Sequence, residues 1–557
     1  MGAPGPRHRC LSIRNTFIRA VILTFVMMSV VGFFLQFDLE VSSSIVRTAA
    51  SAKEAISQQI PMASELISSW VDKTIPLTTE TSMLPRPSRN MACDYDMEKL
   101  RRWQKQYGLE ETFEYIKRYV QVTRQSIPRK SVTHINQHFL VDEFRVMDVN
   151  LEYAPEPCPE PLVVPVSKSP FPSSANASDF MFGVSTTYQR FIEPRTSPIN
   201  EWSYWLTDGH GISNGGKLLL KLLNATEDQL QEARKKLSDV GIDASVHSSD
   251  PADIMAVRYL SLVPAMHNHP ARDSKKWLVV CDDDTFFLSL HALSDKLAEH
   301  DHTRPLYIGV LSEDVNNVQR HGSQAFGGAG VFLSVPMARL IAERYDSCRT
   351  EQKINEANSG WGPQGDILLR KCIYENSEVR LTLLNDLWQL DILGDPSGFY
   401  ESGLRPLSLH HYRGGIWHIA HPWHYTKVAR ICGEDCTLQR FQTADNFVIS
   451  NGFSVAFYPR GIDFNLNQVE ATFGAAPDDK GWNFDFSMGP RRPSLHKTGR
   501  KISWDLQEAT VNDDGTVSQV YVLKHDDWRW KNPDGTPMAS RDGVVELVWM
   551  PDGEEEG

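Results

Sequence analysis

The chain's 557 residues are 41% hydrophobic and 23% charged, ordinary globular material for one large or two medium domains. A formal net charge of -13 with no basic stripe excludes a nucleic-acid binder, because phosphate recognition clusters Lys and Arg on one face.

The N-terminus reads as a targeting segment: Arg7, Arg9, Arg14 and Arg19 precede an apolar run from Ala20 to Phe37, with Asp38 and Glu40 beyond it. At about 18 residues the run is near the lower limit for a bilayer span and longer than a signal-peptide core. No small-x-small cleavage site closes it. The expected arrangement is therefore a cytosolic tail at 1–19 and a signal-anchor transmembrane helix at 20–37, with the rest lumenal. A cleaved signal peptide is the competing reading. A short span suits the thin bilayer of early secretory membranes, which gives a single-pass type II protein of the Golgi or endoplasmic reticulum.

An oxidising lumen permits disulfides and glycosylation. Sequons stand at Asn176 and Asn224, and of eight cysteines only Cys10 is cytosolic in this topology, leaving an odd number outside. Cys281, inside an apolar run, is expected to stay a free, buried thiol. Cys93 with Cys158, Cys348 with Cys372 and Cys432 with Cys436 are candidate pairs, with connectivity left open.

Residues 38–90, rich in Ser, Thr, Ala and Pro, read as a stem without a core of its own. A neck at 91–174 holds a helical patch from Asp96 to Tyr119 and a Pro-rich stretch, Pro155 to Pro172, of loop or extended chain. The main domain is expected at 175–440. It opens with a buried strand from Asp179 through Thr187 and a helix holding Tyr188, Arg190 and Phe191. Apolar runs at Trp202–Leu206 and Lys217–Leu223, a helix at Glu227–Val240 and a segment at Asp253–Met266 with Tyr259 and Leu260 facing inward follow. Lys276-Trp-Leu-Val-Val-Cys then reads as a central strand covered on both faces. Alternating strands and helices predict an α/β fold with a largely parallel sheet, whose ligands bind at the carboxyl ends of the strands. From 441 to 557 short alternating runs separated by Asp-Gly turns predict an appended β-rich module.

The central run ends on Asp282, Asp283 and Asp284. Three adjacent carboxylates repel one another, and a divalent cation is the natural offset. Hard oxygens suit Mn²⁺ or Mg²⁺, which can bridge the phosphates of a nucleotide diphosphate and support its departure. Alternation along a strand end puts Asp282 and Asp284 on one face and Asp283 on the other.

Trp277-Leu-Val-Val-Cys-Asp-Asp-Asp-Thr-Phe-Phe resembles the metal-binding strand of fringe-like β-1,3-glycosyltransferases (glycosyltransferase family 31), particularly fungal-type members. Phe182-Gly-Val-Ser-Thr-Thr-Tyr-Gln-Arg resembles that family's first strand and donor-nucleotide loop, and Phe326-Gly-Gly-Ala-Gly-Val-Phe-Leu-Ser its glycine-rich segment. Trp361-Gly-Pro-Gln-Gly-Asp-Ile resembles the stretch carrying the catalytic carboxylate, and Gly394-Asp-Pro-Ser-Gly-Phe-Tyr with Pro406-Leu-Ser-Leu-His-His-Tyr the late histidine motif. The resemblance spans roughly residues 175 to 460.

It implies a GT-A (Rossmann-like) domain and inverting transfer of a hexose or N-acetylhexosamine from a UDP-sugar to a glycan or glycoprotein, forming a β-1,3 linkage. Asp366 becomes the candidate base that deprotonates the acceptor, although Gly365 stands where relatives carry a second acid. The metal set is Asp282, Asp284 and, by register in the motif, His411, with His410 as the alternative. Thr186, Thr187, Arg190, Asp282 and Asp283 are candidate nucleotide contacts, and Gly327, Gly328 and Gly330 would let backbone approach the donor closely. Two other functions compete: a non-catalytic lumenal binder of carbohydrate or nucleotide, and a metal-dependent phosphohydrolase, which lacks the further acids that chemistry needs.

Overall fold

The computed structural model describes residues 92–93, 95–194, 197–474 and 486–552. The expected anchor at 20–37 and stem at 38–90 lie outside the described residues. Among the described residues no helix is long and apolar enough to cross a membrane.

The fold is mixed α/β. A seven-stranded sheet runs in the order Thr382–Leu383, Tyr307–Gly309, Val331–Ser334, Trp277–Val280, Phe180–Thr187, Lys217–Leu223, Ala244–Ser249. Val331–Ser334 is antiparallel to both neighbours, and every other pairing is parallel. Trp277–Val280 is the middle strand and buried at all its positions, as an apolar run between two covered faces requires. Its carboxyl end delivers the three aspartates to one edge of the sheet. The Glu227–Asp239 helix begins at a reciprocal capping box, in which Thr226 accepts from the Gln229 amide and the Gln229 side chain accepts from the Thr226 amide.

A ten-stranded sheet forms the second layer. Its order is Val132–His134, Arg440–Gln442, Phe447–Ser450, Ser454–Phe457, Ile502–Val511, Val517–Leu523, Gly543–Met550, Thr112–Gln125, Arg145–Asp148, with Leu162–Ser167 also on Thr112–Gln125. Two expectations change here. The helical patch at Asp96–Tyr119 ends early: a helix covers Met97–Tyr107, stopped by Gly108 at φ 58, and Thr112–Gln125 is strand. The β-rich region at 441–557 shares its sheet with strands of the neck at 91–174, because Thr112–Gln125 lies parallel to Gly543–Met550. One apolar core runs through both sheets, joining Phe182 and Trp205 to Phe441, Trp504 and Trp549.

Disulfides join Cys93 to Cys158, Cys348 to Cys372 and Cys432 to Cys436, and Cys281 is free and buried. Asn176 and Asn224 are both exposed.

Candidate active site

Beyond the middle strand the chain makes a turn that Thr285 ties down. Its buried hydroxyl accepts from the Asp282 amide at 3.0 Å and donates to the Gly328 carbonyl at 2.8 Å. Asp283 turns away from its neighbours into the protein, where it accepts from the Thr186 hydroxyl and from Arg190 Nε at 2.8 Å and Nη2 at 2.5 Å. Arg413 holds the Asp283 carbonyl at 3.1 Å and pairs with Glu201. Thr187, for its part, caps the short helix after the first strand by accepting from the Arg190 amide. Thr186, Thr187 and Arg190 thus have partners within the chain.

Asp282 and Asp284 face the opposite way and meet a histidine. His410 Nε2 lies 3.2 Å from Asp284 Oδ1 and 3.5 Å from Asp282 Oδ2. The sequence favoured His411 for this position. The correction comes from a two-residue ladder: Ser408–Leu409 pairs antiparallel with Phe286–Phe287, so the first residue past it, His410, lands on the aspartate turn. His411 adopts φ 57, its ring 3.8 Å from that of His410, with Nδ1 2.9 Å from Asp391 Oδ1 and its ring stacked on Trp417 at 4.2 Å.

The electrostatics follow from this cluster. Burial pushes the Asp282 carboxyl up to about 6, against the pull of His410. Burial also opposes ionisation of Asp284, but the charge and hydrogen bond of His410 prevail and hold it well below the usual carboxylate range. Burial would depress His410, yet Asp284 and Asp282 raise it to about 9. One ligand atom from each of the three residues lies within 4.8 Å of the others, and His410 Nδ1 is buried without a hydrogen-bond partner. Two hard carboxylates and an imidazole at this spacing fit a divalent cation. Glu110, His525 and Asp542 also cluster, but there the Lys524 ammonium already pairs with Asp542.

The glycines also make close packing within the site possible. A Cβ on Gly328 would stand 2.1 Å from the His410 ring, and one on Gly327 would stand 2.5 Å from the Tyr259 hydroxyl. Gly330, at φ +96, makes the turn into the Val331–Ser334 strand. Two of the three therefore make room for side chains of the site. Gly365 does the same: its Cβ would meet Tyr259 at 2.5 Å, which is why no second acid precedes Asp366.

Asp366 lies in the first turn of the Gly365–Asn376 helix, whose N-cap is Gln364. Its carboxylate accepts from the Ile367 amide at 2.8 Å, and burial raises it to about 6. Asp366, Asp282, Gly327, Gly328, His410 and His411 all line one cleft of about 250 Å³, at the small end of ligand sites. Behind it, Asp391 accepts from Ser312 at 2.5 Å and Asn317 at 2.8 Å, and His411 and these bonds hold it down to about 2 against its burial.

Sequence reasoning passed over Trp361, Asp391 and Trp417 as individual residues of this cleft and read Tyr259 only as facing inward. Trp361 stood inside a quoted motif; Tyr259 and Asp391 come from apolar stretches with no local signature.

Residues 227–397 match a family profile described as Fringe-like. That segment holds the three aspartates, the glycines and Asp366, while Thr186, Arg190 and both histidines fall outside it. No curated protein matches the chain. Among solved structures, mouse xyloside xylosyltransferase 1 is 11% identical over 37% of this chain and 85% of its own, with a TM-score of 0.24. The glycosyltransferase GlyE of Streptococcus pneumoniae TIGR4 is 16% identical over 38% of this chain and 46% of its own, with a TM-score of 0.24. The mannosyltransferase PcManGT of Pyrobaculum calidifontis, solved with GDP-Man and Mn2+, is 11% identical over 39% and 60%, with a TM-score of 0.21. At these TM-scores the structural likenesses carry no argument.

Proposed function

We propose that this chain, a fringe-like glycosyltransferase by its segment 227–397, is an inverting, metal-dependent enzyme of GT-A type. It moves a hexose or N-acetylhexosamine from a UDP-sugar to a glycan or glycoprotein and forms a β-1,3 linkage. The observation that carries the reading is the meeting of Asp282, Asp284 and His410, two of which, Asp282 and His410, line the same cleft as the half-buried Asp366.

Asp282, Asp284 and His410 would hold Mn²⁺ or Mg²⁺, which when bound offsets the charge of the diphosphate and supports it as a leaving group. Asp366 takes the proton of the acceptor hydroxyl. The freed oxygen pair forms a bond to the anomeric carbon from the side opposite the diphosphate, whose bond to that carbon breaks, and UDP leaves with the electron pair. A single displacement inverts the anomeric centre and needs no nucleophilic side chain. A base whose pKa is about 6 is largely ionised at neutral pH yet still basic enough to accept a proton. Asp283, locked by Thr186 and Arg190, fixes the strand end so that its neighbours face the cleft together. The Arg190 side chain is 58% exposed, which leaves it room to meet a phosphate oxygen.

The reading includes a single-pass type II placement in the Golgi or endoplasmic reticulum through residues 20–37. Three lumen-compatible disulfides and two exposed sequons support it. Loss of mass on enzymatic deglycosylation of the secretory-pathway protein tests it; an unmodified, protease-accessible chain on intact vesicles would reject it.

UDP release by the full chain across a panel of UDP-sugars, with Mn²⁺, with EDTA or in Asp284→Ala, tests the chemistry. Turnover that depends on the metal and disappears in the variant is expected. Metal-independent turnover, or none with any donor, defeats the proposal.

A further inference from the structure

Two side chains of the cleft have no part in the chemistry just described, and both are displayed at some expense to the fold. Tyr259 is only 7% exposed, yet its hydroxyl has no hydrogen-bond partner. A buried hydroxyl left unpaired costs about 1–3 kcal/mol, which a fold sheds unless something else claims the group. The chain instead clears space around this ring, with Gly327 on one side and Gly365 on the other. Burial, with Asp282 and Asp366 nearby, keeps the phenol protonated and therefore a donor.

Trp361 is the converse: a large apolar ring, 69% exposed, at the rim of the same cleft. It is held rigidly. Asn358 and Pro363 close a tight turn around it, and Asn358 Oδ1 accepts from the amides of Gly360 at 2.8 Å and Gly362 at 3.1 Å. Both glycines have positive φ, 94 and 99, which the turn demands. The Arg320 guanidinium stacks over the indole at 3.8 Å, and the His321 ring meets it edge-on at 6.1 Å. The turn runs directly into the helix that carries Asp366.

A pyranose ring has an apolar C–H face and a rim of hydroxyls. A flat, anchored indole answers the first and a buried, unpaired phenol answers the second. We propose that Trp361 and Tyr259 are the acceptor-recognising pair. The indole lies against the C–H face of the acceptor sugar, and the phenol donates to a hydroxyl beside the one Asp366 deprotonates. The assignment rests on the transferase reading of the cleft, and through it the pair sets which sugars are accepted.

The test is saturation-transfer NMR of the full chain with Mn²⁺ and UDP. Its probes are methyl α- and β-pyranosides of glucose, galactose, mannose and N-acetylglucosamine, and the monodeoxy analogues of whichever binds. One glycoside should bind, with its C–H protons receiving most saturation. Its affinity should fall about tenfold in Trp361→Ala and recover in part in Trp361→Phe. Tyr259→Phe should cost about five- to tenfold, and one monodeoxy analogue should bind that variant as well as its parent does. UDP affinity should stay within about twofold in all three variants. The pairing is overturned if no glycoside binds, if the variants bind it as the wild type does, or if UDP affinity falls in step. Loss of metal-dependent UDP binding in the wild type would instead count against the transferase reading itself.

Discussion

Two buried polar clusters of this molecule are built in opposite ways. At the carboxyl edge of the seven-stranded sheet, the Tyr259 hydroxyl and His410 Nδ1 are buried with nothing to bond. Around the two-stranded ladder of Val469–Glu470 with Arg491–Arg492, the ammonium of Lys501, fully buried, sits 2.5 Å from Glu401 and 3.0 Å from Glu470, and Arg492 adds a second cation 2.8 Å from Glu470. Matched charge there is architecture. The unmatched groups at the cleft are the ones the proposed metal and acceptor would complete.

Substitutions should separate the two regions by what they damage. The largest effect is expected from Asp366→Asn, which should lower turnover about 10²–10⁴-fold while UDP affinity and melting temperature hold. Lys501→Met should do the reverse. It strands Glu401 and Glu470 and should cost about 3–5 kcal/mol in denaturant unfolding, with UDP affinity of the folded protein unchanged. Gly328→Ala tests the packing between the glycine segment and the site, since its methyl would drive His410 off the aspartates; Mn²⁺ affinity by calorimetry should drop about 10–100-fold. A pH profile sharpens the same contrast. Asp366 and the metal ligand Asp282 both work ionised and both have a pKa of about 6, so kcat/KM should fall at least about tenfold per unit below pH 6. The smallest effect belongs to Thr226→Ala, which removes a cap on an outer helix; it should cost about 0.5–2 kcal/mol and leave activity intact, with Thr226→Ser restoring stability.

What could be read from the sequence follows how local the determining forces are. Trp277–Val280 and Lys217–Leu223 are continuous apolar runs, and burial on both faces needs nothing further to identify them. Thr112–Gln125 was harder. Its buried face changes along the strand: Phe113 and Tyr115 enter one apolar cluster, Val120 and Val122 another on the opposite face, and Arg118, in phase with the second pair, is buried with its guanidinium bonded to the backbone of His138, Phe139 and Glu160. Its strand identity is set by Gly543–Met550, more than four hundred residues along the chain. At the site, the three aspartates announced themselves through charge at a predicted strand end, and Asp366 through the resemblance of its motif. The choice between His410 and His411 did not, because two neighbouring imidazoles look alike until a short ladder fixes which one faces the turn. Tyr259 read only as an inward-facing residue: its place in the cleft depends on two glycines, 327 and 365, that are distant in sequence and close in space.

The parallel pairing of Thr112–Gln125 with Gly543–Met550 also dictates an order of events during synthesis. The early strand leaves the ribosome with its ladder partner still untranslated, while every strand of the seven-stranded sheet emerges in between. The active-site layer can assemble while the second layer still lacks its closing strands, which exposes a long, half-apolar edge throughout elongation. The nascent protein therefore has a built-in dependence on whatever shields that edge, and sequence changes near residue 545 should lower the yield of folded enzyme more than they harm the molecules that do fold.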